Sequence, residues 1–459
     1  MRRRDWLAMV ATAGAWAVEP KNRAPVSRET LLVKMPEAEP VRLSNGVTLL
    51  TMEDRRLPVV TVMFRIEGAG EIYSTRRGVA ELTADMLQEG TAGRSGKQLV
   101  EAASRLGATL RSAVEPGAEV AVVNGEGLAS RWAEWFELLC GVVRQPTFPA
   151  DDFQNLRQRW IAGLRMQRPG ALADQRLQQL VYGKHPAAVT IPTAAELASL
   201  TPEMLAAWHR ERYAPSNTVI GCVGRVRSSD FRDRVEKLLG SWSGPNVQPA
   251  LPPPPEPLTG RRIVLIDRPE ARQTEIAIGG LLFDRRDADL FPFILLNGVL
   301  GNGFGSRFQR ILRREKGYAF SAYSNYSAGR YPGMWRGRAS VRGDATTESL
   351  DIMLTQLRQL CDQPLAAEEL ERAKRAAVGG FALTLESPSQ VLTNSYLRFR
   401  YGFSADYWER YPAKINAVTP GEVQAVAQKY CNPERVQIVL AGDATHFRGA
   451  IEKLGKVES

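Results

Sequence analysis

The chain has 459 residues, 44% of them hydrophobic, and its 60 Lys plus Arg against 50 Asp plus Glu give a formal charge of +10. That length exceeds the roughly 250–300 residues over which a single hydrophobic core grows, so more than one domain is expected. The surplus charge suits colloidal solubility; no basic stripe with interleaved aromatics and no nucleic-acid module signature is present, so binding to DNA or RNA is set aside.

In chain order, residues 1–17 read as an export signal. Basic Arg2, Arg3 and Arg4 precede an apolar stretch from Trp6 to Trp16, and Ala15-Trp16-Ala17 offers a small-x-small cleavage site. The pair Arg3-Arg4 resembles the twin-arginine type, which implies a bacterial periplasmic or exported protein; an amphipathic helix or a retained anchor are the alternatives. No later apolar run reaches the ~18 residues of a membrane span, so no stable span is expected once the signal is removed.

Residues 41–242 read as a first domain. Its hairpin turns on Asn45-Gly46, and the segment from Val59 alternates as a strand should. A helix follows at Gly78–Thr91. Residues 109–127 then read as strand, turn and strand, and Leu128, Trp132, Trp135, Phe136, Leu139 and Val143 as a core-facing helical stripe. The Pro-rich segment 243–260 reads as an extended linker rather than packed structure. A second domain, 261–455, repeats the plan with strands near residues 261–269, 273–283, 319–329 and 334–341, and with helices at Leu290–Leu300, from Ala345 and from Ala366.

The two halves also share sequence. Thr201-Pro202 matches Thr419-Pro420, Pro215 matches Pro433, and Gly224 matches Gly442, all at one offset of 218 residues; Phe231 and Phe447 continue the match with a two-residue shift. Two copies at so long a period indicate duplicated domains rather than a solenoid. The expected fold class is α+β, with two homologous domains, each a mainly antiparallel sheet with helices packed on one face.

Four cysteines, Cys140, Cys222, Cys361 and Cys431, are far apart and form no Cys-x-x-Cys pair, which argues against a thiolate zinc site. The only histidines are His185, His209 and His446, none within four residues of another. The Gly78–Thr91 helix places Val79, Leu82, Thr83, Met86 and Leu87 on one face and Glu81, Asp85 and Glu89 on the other. Carboxylates at i and i+4 can converge on a cation, yet such a pair by itself ordinarily marks a solvated acidic face.

The residues around that helix resemble the insulinase/pitrilysin-type peptidases, whose inverted zinc motif His-x-x-Glu-His lies in a segment of the form Gly-(Ile/Leu)-Ala-His-Phe-Leu-Glu-His-Met-Leu-Phe-x-Gly-Thr. Gly78, Ala80, Met86, Leu87, Gly90 and Thr91 match, whereas Glu81 and Asp85 stand where the histidines would be and Ala84 where the catalytic Glu would be. The family's distal Glu ligand falls at Ala162 or Gly163. The resemblance runs from about Val41 to about Leu454. It implies a member of the processing-peptidase-like branch that binds no metal and has no catalytic residues of its own, because zinc must acidify a water and a Glu must take its proton.

In several branches of the family a zinc-free member pairs with a zinc-bearing sibling, and the resemblance therefore implies a heterodimer in which zinc sits in the partner and a peptide substrate is held between them. The substrate-holding elements implied are Gly301, Gly303 and Gly305, then Arg313, with Phe320 where the family has Tyr. The change to Phe320 keeps the ring and loses the hydroxyl; Tyr318 or Tyr323 could supply one. A scaffold or peptide-binding role with no proteolysis is the alternative reading, and an active peptidase with an unusual metal site the third.

Overall fold

The turn pair Asn45-Gly46 acts as its chemistry predicts: Gly46 adopts φ 98°, and Pro40–Arg42 (β1) pairs antiparallel with Thr48–Glu53 (β2) from Arg42 and Thr48 outward. The computed structural model describes residues 32–36, 38–115, 117–188 and 191–458, so the expected export signal lies outside the described residues. After β2 come Val59–Glu67 (β3), the helix Val79–Met86 (α1), a small hairpin of Gly90–Thr91 (β4) with Arg94–Ser95 (β5), Ala108–Ala113 (β6) and Val120–Leu128 (β7). Helices Trp132–Arg144 (α2), Ala150–Arg165 (α3), Pro169–Tyr182 (α4) and Pro202–Arg212 (α5) follow, with a short helical turn at Ala194–Ser199 between the last two, and then Thr218–Gly224 (β8). The first sheet has the order β1-β2-β8-β3-β7-β6, antiparallel except where β2 meets β8.

The second half contains Arg262–Asp267 (β9), Gln273–Leu281 (β10), Leu290–Leu300 (α6), Ala319–Ser327 (β11), Met334–Arg342 (β12), Thr346–Asp362 (α7), Ala367–Thr384 (α8), Pro388–Tyr401 (α9), Pro420–Tyr430 (α10), Gln437–Gly442 (β13) and Val457–Glu458 (β14). Its sheet reads β14-β9-β13-β10-β12-β11 from the corresponding edge, with β9 parallel to both β13 and β14. The matched sequence segments thus become matched structure. The α5–β8 and α10–β13 units each end in a strand inserted between two others, and each helix is capped by a Thr hydroxyl (Thr201, Thr419) with Pro at the first helical position.

Each sheet buries one face against helices of its own half. In the first, Val60, Val62, Phe64 and Ile66 of β3 pack with Trp135, Phe136 and Leu139 of α2; in the second, Ile276 and Ile278 of β10 pack with Leu295 and Leu296 of α6. The opposite faces are covered reciprocally. Helix α9 of the second half lays Val391, Leu392 and Tyr396 on Leu50, Met52, Met63, Val219 and Val223 of the first sheet, and α4 of the first half lays Ala173, Leu177 and Val181 on Val264, Ala277, Val439 and Ala441 of the second. At about 25 cal/mol per Å2 of apolar surface, each fully buried Leu here contributes roughly 2 kcal/mol.

Ion pairs fix the register of these crossed helices. Arg400 of α9 contacts Glu67 of β3 and Glu119, both at 2.9 Å, and the Tyr396 hydroxyl donates to Glu67. Arg338 of β12 contacts Asp174 of α4 at 2.9 Å and donates to the Gly170 carbonyl at 2.7 Å. For pairs this desolvated, the cost of burying the charges offsets much of their attraction, so they add little net stability.

Two local expectations are corrected. Leu128 ends β7 rather than joining the α2 stripe, and it is 47% exposed, because the helix starts only at Trp132. The Pro-rich segment has no helix or strand, yet it is packed: Val247 and Pro255 are buried, the Ser216 hydroxyl donates to the Pro245 carbonyl, and Pro249 closes on Gly68 where a Cβ would sit 2.7 Å away. All four cysteines are buried free thiols, and Cys361 and Cys431, far apart in sequence, come together with Sγ of the first 3.9 Å from the carbonyl of the second.

Candidate functional site

Helix α1 begins after Gly78, whose φ of 83° explains a glycine at that place, and it buries Val79, Leu82, Thr83 and Met86 as the periodicity predicts. The acidic face is not solvated. Glu81 is only 6% exposed and lies against Glu71, itself 4% exposed, from the short turn Glu71–Tyr73. Burial first, and the hydrogen-bonded Glu81 second, push Glu71 up to about 10, so at neutral pH Glu71 is protonated and donates to Glu81. Its other oxygen accepts from the Gly78 backbone N–H at 3.3 Å, and burial raises Glu81 as well.

Ala84 is fully buried and presents only a methyl group, while its carbonyl accepts from the Ser112 hydroxyl at 2.6 Å. Asp85 accepts from the indole N–H of Trp160 on α3 at 3.1 Å; burial raises its pKa and that hydrogen bond opposes the rise. Glu89 meets Arg159 at 3.4 Å. Ala162, the expected counterpart of the distal ligand, is exposed, as is Gly163, so the group α3 turns toward α1 is Trp160.

These residues do not fit zinc. A catalytic site needs three converging donors and an open position. Here one carboxyl is bound to another, the next to an indole, and among the described residues no three His, Cys, Asp or Glu are placed to hold a metal. The histidines offer no substitute: His209 is held neutral by burial, which lowers it to about 4, with its Nε2 against the Val143 carbonyl at 2.8 Å, and His185 stacks between Tyr182 and Tyr331.

The second-half elements are arranged differently. Gly301 caps α6, and a Cβ there would stand 2.2 Å from the Ser324 backbone nitrogen, so only glycine fits; Gly303 has φ 117°, and Gly305 faces open space. The following helix widens to a π-helix over Gln309–Glu315, a form often found at functional sites. Its Arg313 is exposed, whereas Arg307 just before it grips Glu369 of α8 with two hydrogen bonds of 3.0 and 2.7 Å. Phe320 sits at a β-bulge between Ala319 and Ser321 and is 61% exposed; Phe304, in the glycine loop, is 82% exposed. Both candidate phenols are engaged, Tyr318 donating to Glu348 and Tyr323 accepting from Arg338, each at 2.7 Å.

Glu71 and Trp160 escape sequence reasoning. Glu71 lies in a short irregular turn with no periodicity, and Trp160 on an amphipathic helix reads as an ordinary aromatic.

The family description "Peptidase M16 inactive domain" matches residues 199–377. A crystal structure of a peptidase M16 inactive domain from Pseudomonas fluorescens superimposes with a TM-score of 0.80 at 26% identity, covering 88% of this chain and 98% of that one. The uncharacterized zinc protease YmxG of Bacillus subtilis is 23% identical over 76% of this chain and 85% of its own length. The non-peptidase homolog YmxG of Helicobacter pylori is 21% identical over 84% and 88%. With duplicated sheets of the same order and, among the described residues, no cluster of His, Cys, Asp or Glu placed to hold a metal, the chain is similar to the M16, insulinase/pitrilysin-type, peptidases and to the inactive members of that family.

Proposed function

We propose that this chain is the non-catalytic subunit of a two-chain metallopeptidase, exported across the bacterial inner membrane, in which a zinc-bearing sibling performs the hydrolysis. The observation that carries the reading is the contrast between the two regions. The motif helix has Glu81 buried and Asp85 half-buried, each bonded to its own neighbours, whereas Gly303, Gly305, Arg313 and Phe320 remain exposed beside a π-helix and a bulge. A guanidinium with free donors can hold a peptide carbonyl or carboxylate, and an exposed aromatic ring can pack on a substrate side chain. Phe320 acts there by contact, since it has no hydroxyl to donate.

The test is to measure peptide cleavage and zinc content for this chain, for a sibling carrying His-x-x-Glu-His, and for the two together. Activity that requires both, with zinc only in the sibling, is the expected result; zinc-dependent cleavage by this chain alone refutes the proposal. In the active pair, Arg313→Ala lowers cleavage without releasing zinc. A pair no more active than the sibling alone would favour a scaffold role.

A further inference from the structure

The faces on which α4 and α9 cross do not close completely, and between these helices lies a cavity of about 450 Å3. Its walls include Tyr182 of α4, Tyr396 and Arg400 of α9, Arg65 of β3 and Arg336 of β12, and it shares no residue with the glycine loop or Arg313. Its charges do not balance internally. Arg400 and Arg330 face the two carboxylates Glu67 and Glu119, which accounts for two cations and two anions. Arg65 and Arg336 have no ion pair among the described residues, and the Nε of Arg336 is buried without a hydrogen-bond partner.

The remaining acids do not remove this surplus. Glu115 on the cavity wall is exposed, and Asp174, although within the field of Arg336, is paired with Arg338 at 2.9 Å. The Arg65 guanidinium lies 5.7 Å from the centroid of the Tyr396 ring; burial lowers its pKa and Arg400 adds to the fall, while Tyr396 and the field of Glu67, which is itself bonded to Arg400, oppose it. Burying a charge without a partner is costly, so two such guanidinia directed at one cavity are arranged for an anion.

We propose that this cavity binds a small organic carboxylate, its head taken by Arg65 and Arg336 and its apolar body set against the tyrosine walls. The planar guanidinium fork matches a carboxylate, the aromatic faces of Tyr182 and Tyr396 suit an apolar body, and the volume falls within the range of small-molecule sites. The carboxylate comes from a free acid or from the C-terminus of a peptide.

Titration calorimetry on the full chain tests this with N-acetyl-phenylalanine, its amide, and a pentapeptide ending in Phe with a free or an amidated C-terminus. The free acid binds at millimolar concentration and its amide at least about tenfold more weakly, because charge-assisted hydrogen bonds are lost. Arg65→Met and Arg336→Met, which keep the apolar stem, each weaken the acid about tenfold or more. Binding of the free-acid pentapeptide as well identifies a peptide terminus as the source; binding of N-acetyl-phenylalanine alone identifies a free acid. No binding by either acid, equal binding of acid and amide, or unchanged affinity in both folded variants overturns the proposal. The acid-against-amide comparison needs no variant and stands even where a substitution fails to fold.

Discussion

Replacing Glu71 with Gln reverses its effect on stability between acid and alkaline pH. Glu71 titrates near 4.5 in the unfolded chain and is raised to about 10 in the fold, so folding above pH 4.5 takes up one proton. The stability it contributes is complete below pH 4.5 and declines by about 1.4 kcal/mol per pH unit as the pH rises toward 10, a cost of about 3 kcal/mol at pH 7. The amide introduced by Glu71→Gln would donate to Glu81 and accept from the Gly78 N–H without binding a proton, but its second amide hydrogen finds no acceptor, which costs about 1–2 kcal/mol. The variant should therefore be about 1–2 kcal/mol more stable than the native chain at about pH 7, and no more stable at about pH 5. Urea unfolding followed by tryptophan fluorescence at the two pH values measures this. A variant less stable at the higher pH, or one whose stability runs parallel to the native chain's across the range, would refute the protonated-pair reasoning.

Three other substitutions follow from the packing. Leu392→Ala, at a fully buried position where α9 crosses onto the first sheet, should cost about 2–5 kcal/mol, and both halves should unfold in one transition by circular dichroism. Gly301→Ala forces a Cβ to within 2.2 Å of the Ser324 nitrogen; it should lower the melting temperature and speed hydrogen exchange in residues 301–305. Asp85→His should leave the purified chain without zinc by elemental analysis, because Glu71 holds Glu81 and Trp160 stands where the distal donor would be needed.

Much of the fold was legible because its signals are local. The Asn45-Gly46 turn, the alternation of β3, the stripe from Trp132 to Val143 and the Thr-Pro starts of α5 and α10 each depend on a few adjacent residues. The halves' common strand order followed from their common sequence. The burial of Glu81 was not legible, since its partner Glu71 reaches it from an irregular turn, and an i, i+4 acid pair looks the same whether solvated or enclosed. The role of Trp160 on α3 was not legible because residue spacing along a helix does not say which side chain reaches across: Ala162 is exposed and Trp160 spans the gap. The packing of the Pro-rich segment was hidden for a similar reason, since composition reports local stiffness and not what the strap lies against.

The reciprocal placement of α4 and α9 limits what can be done with the gene. Residues 33–459 form one compact unit, so cutting in the Pro-rich segment would leave each fragment without the helix that covers half its sheet and would expose rows of Val, Leu and Met to water. Such fragments should aggregate when made singly and recover when made together. The duplication has in effect become an internal dimer whose copies can no longer be inherited, shuffled or lost apart.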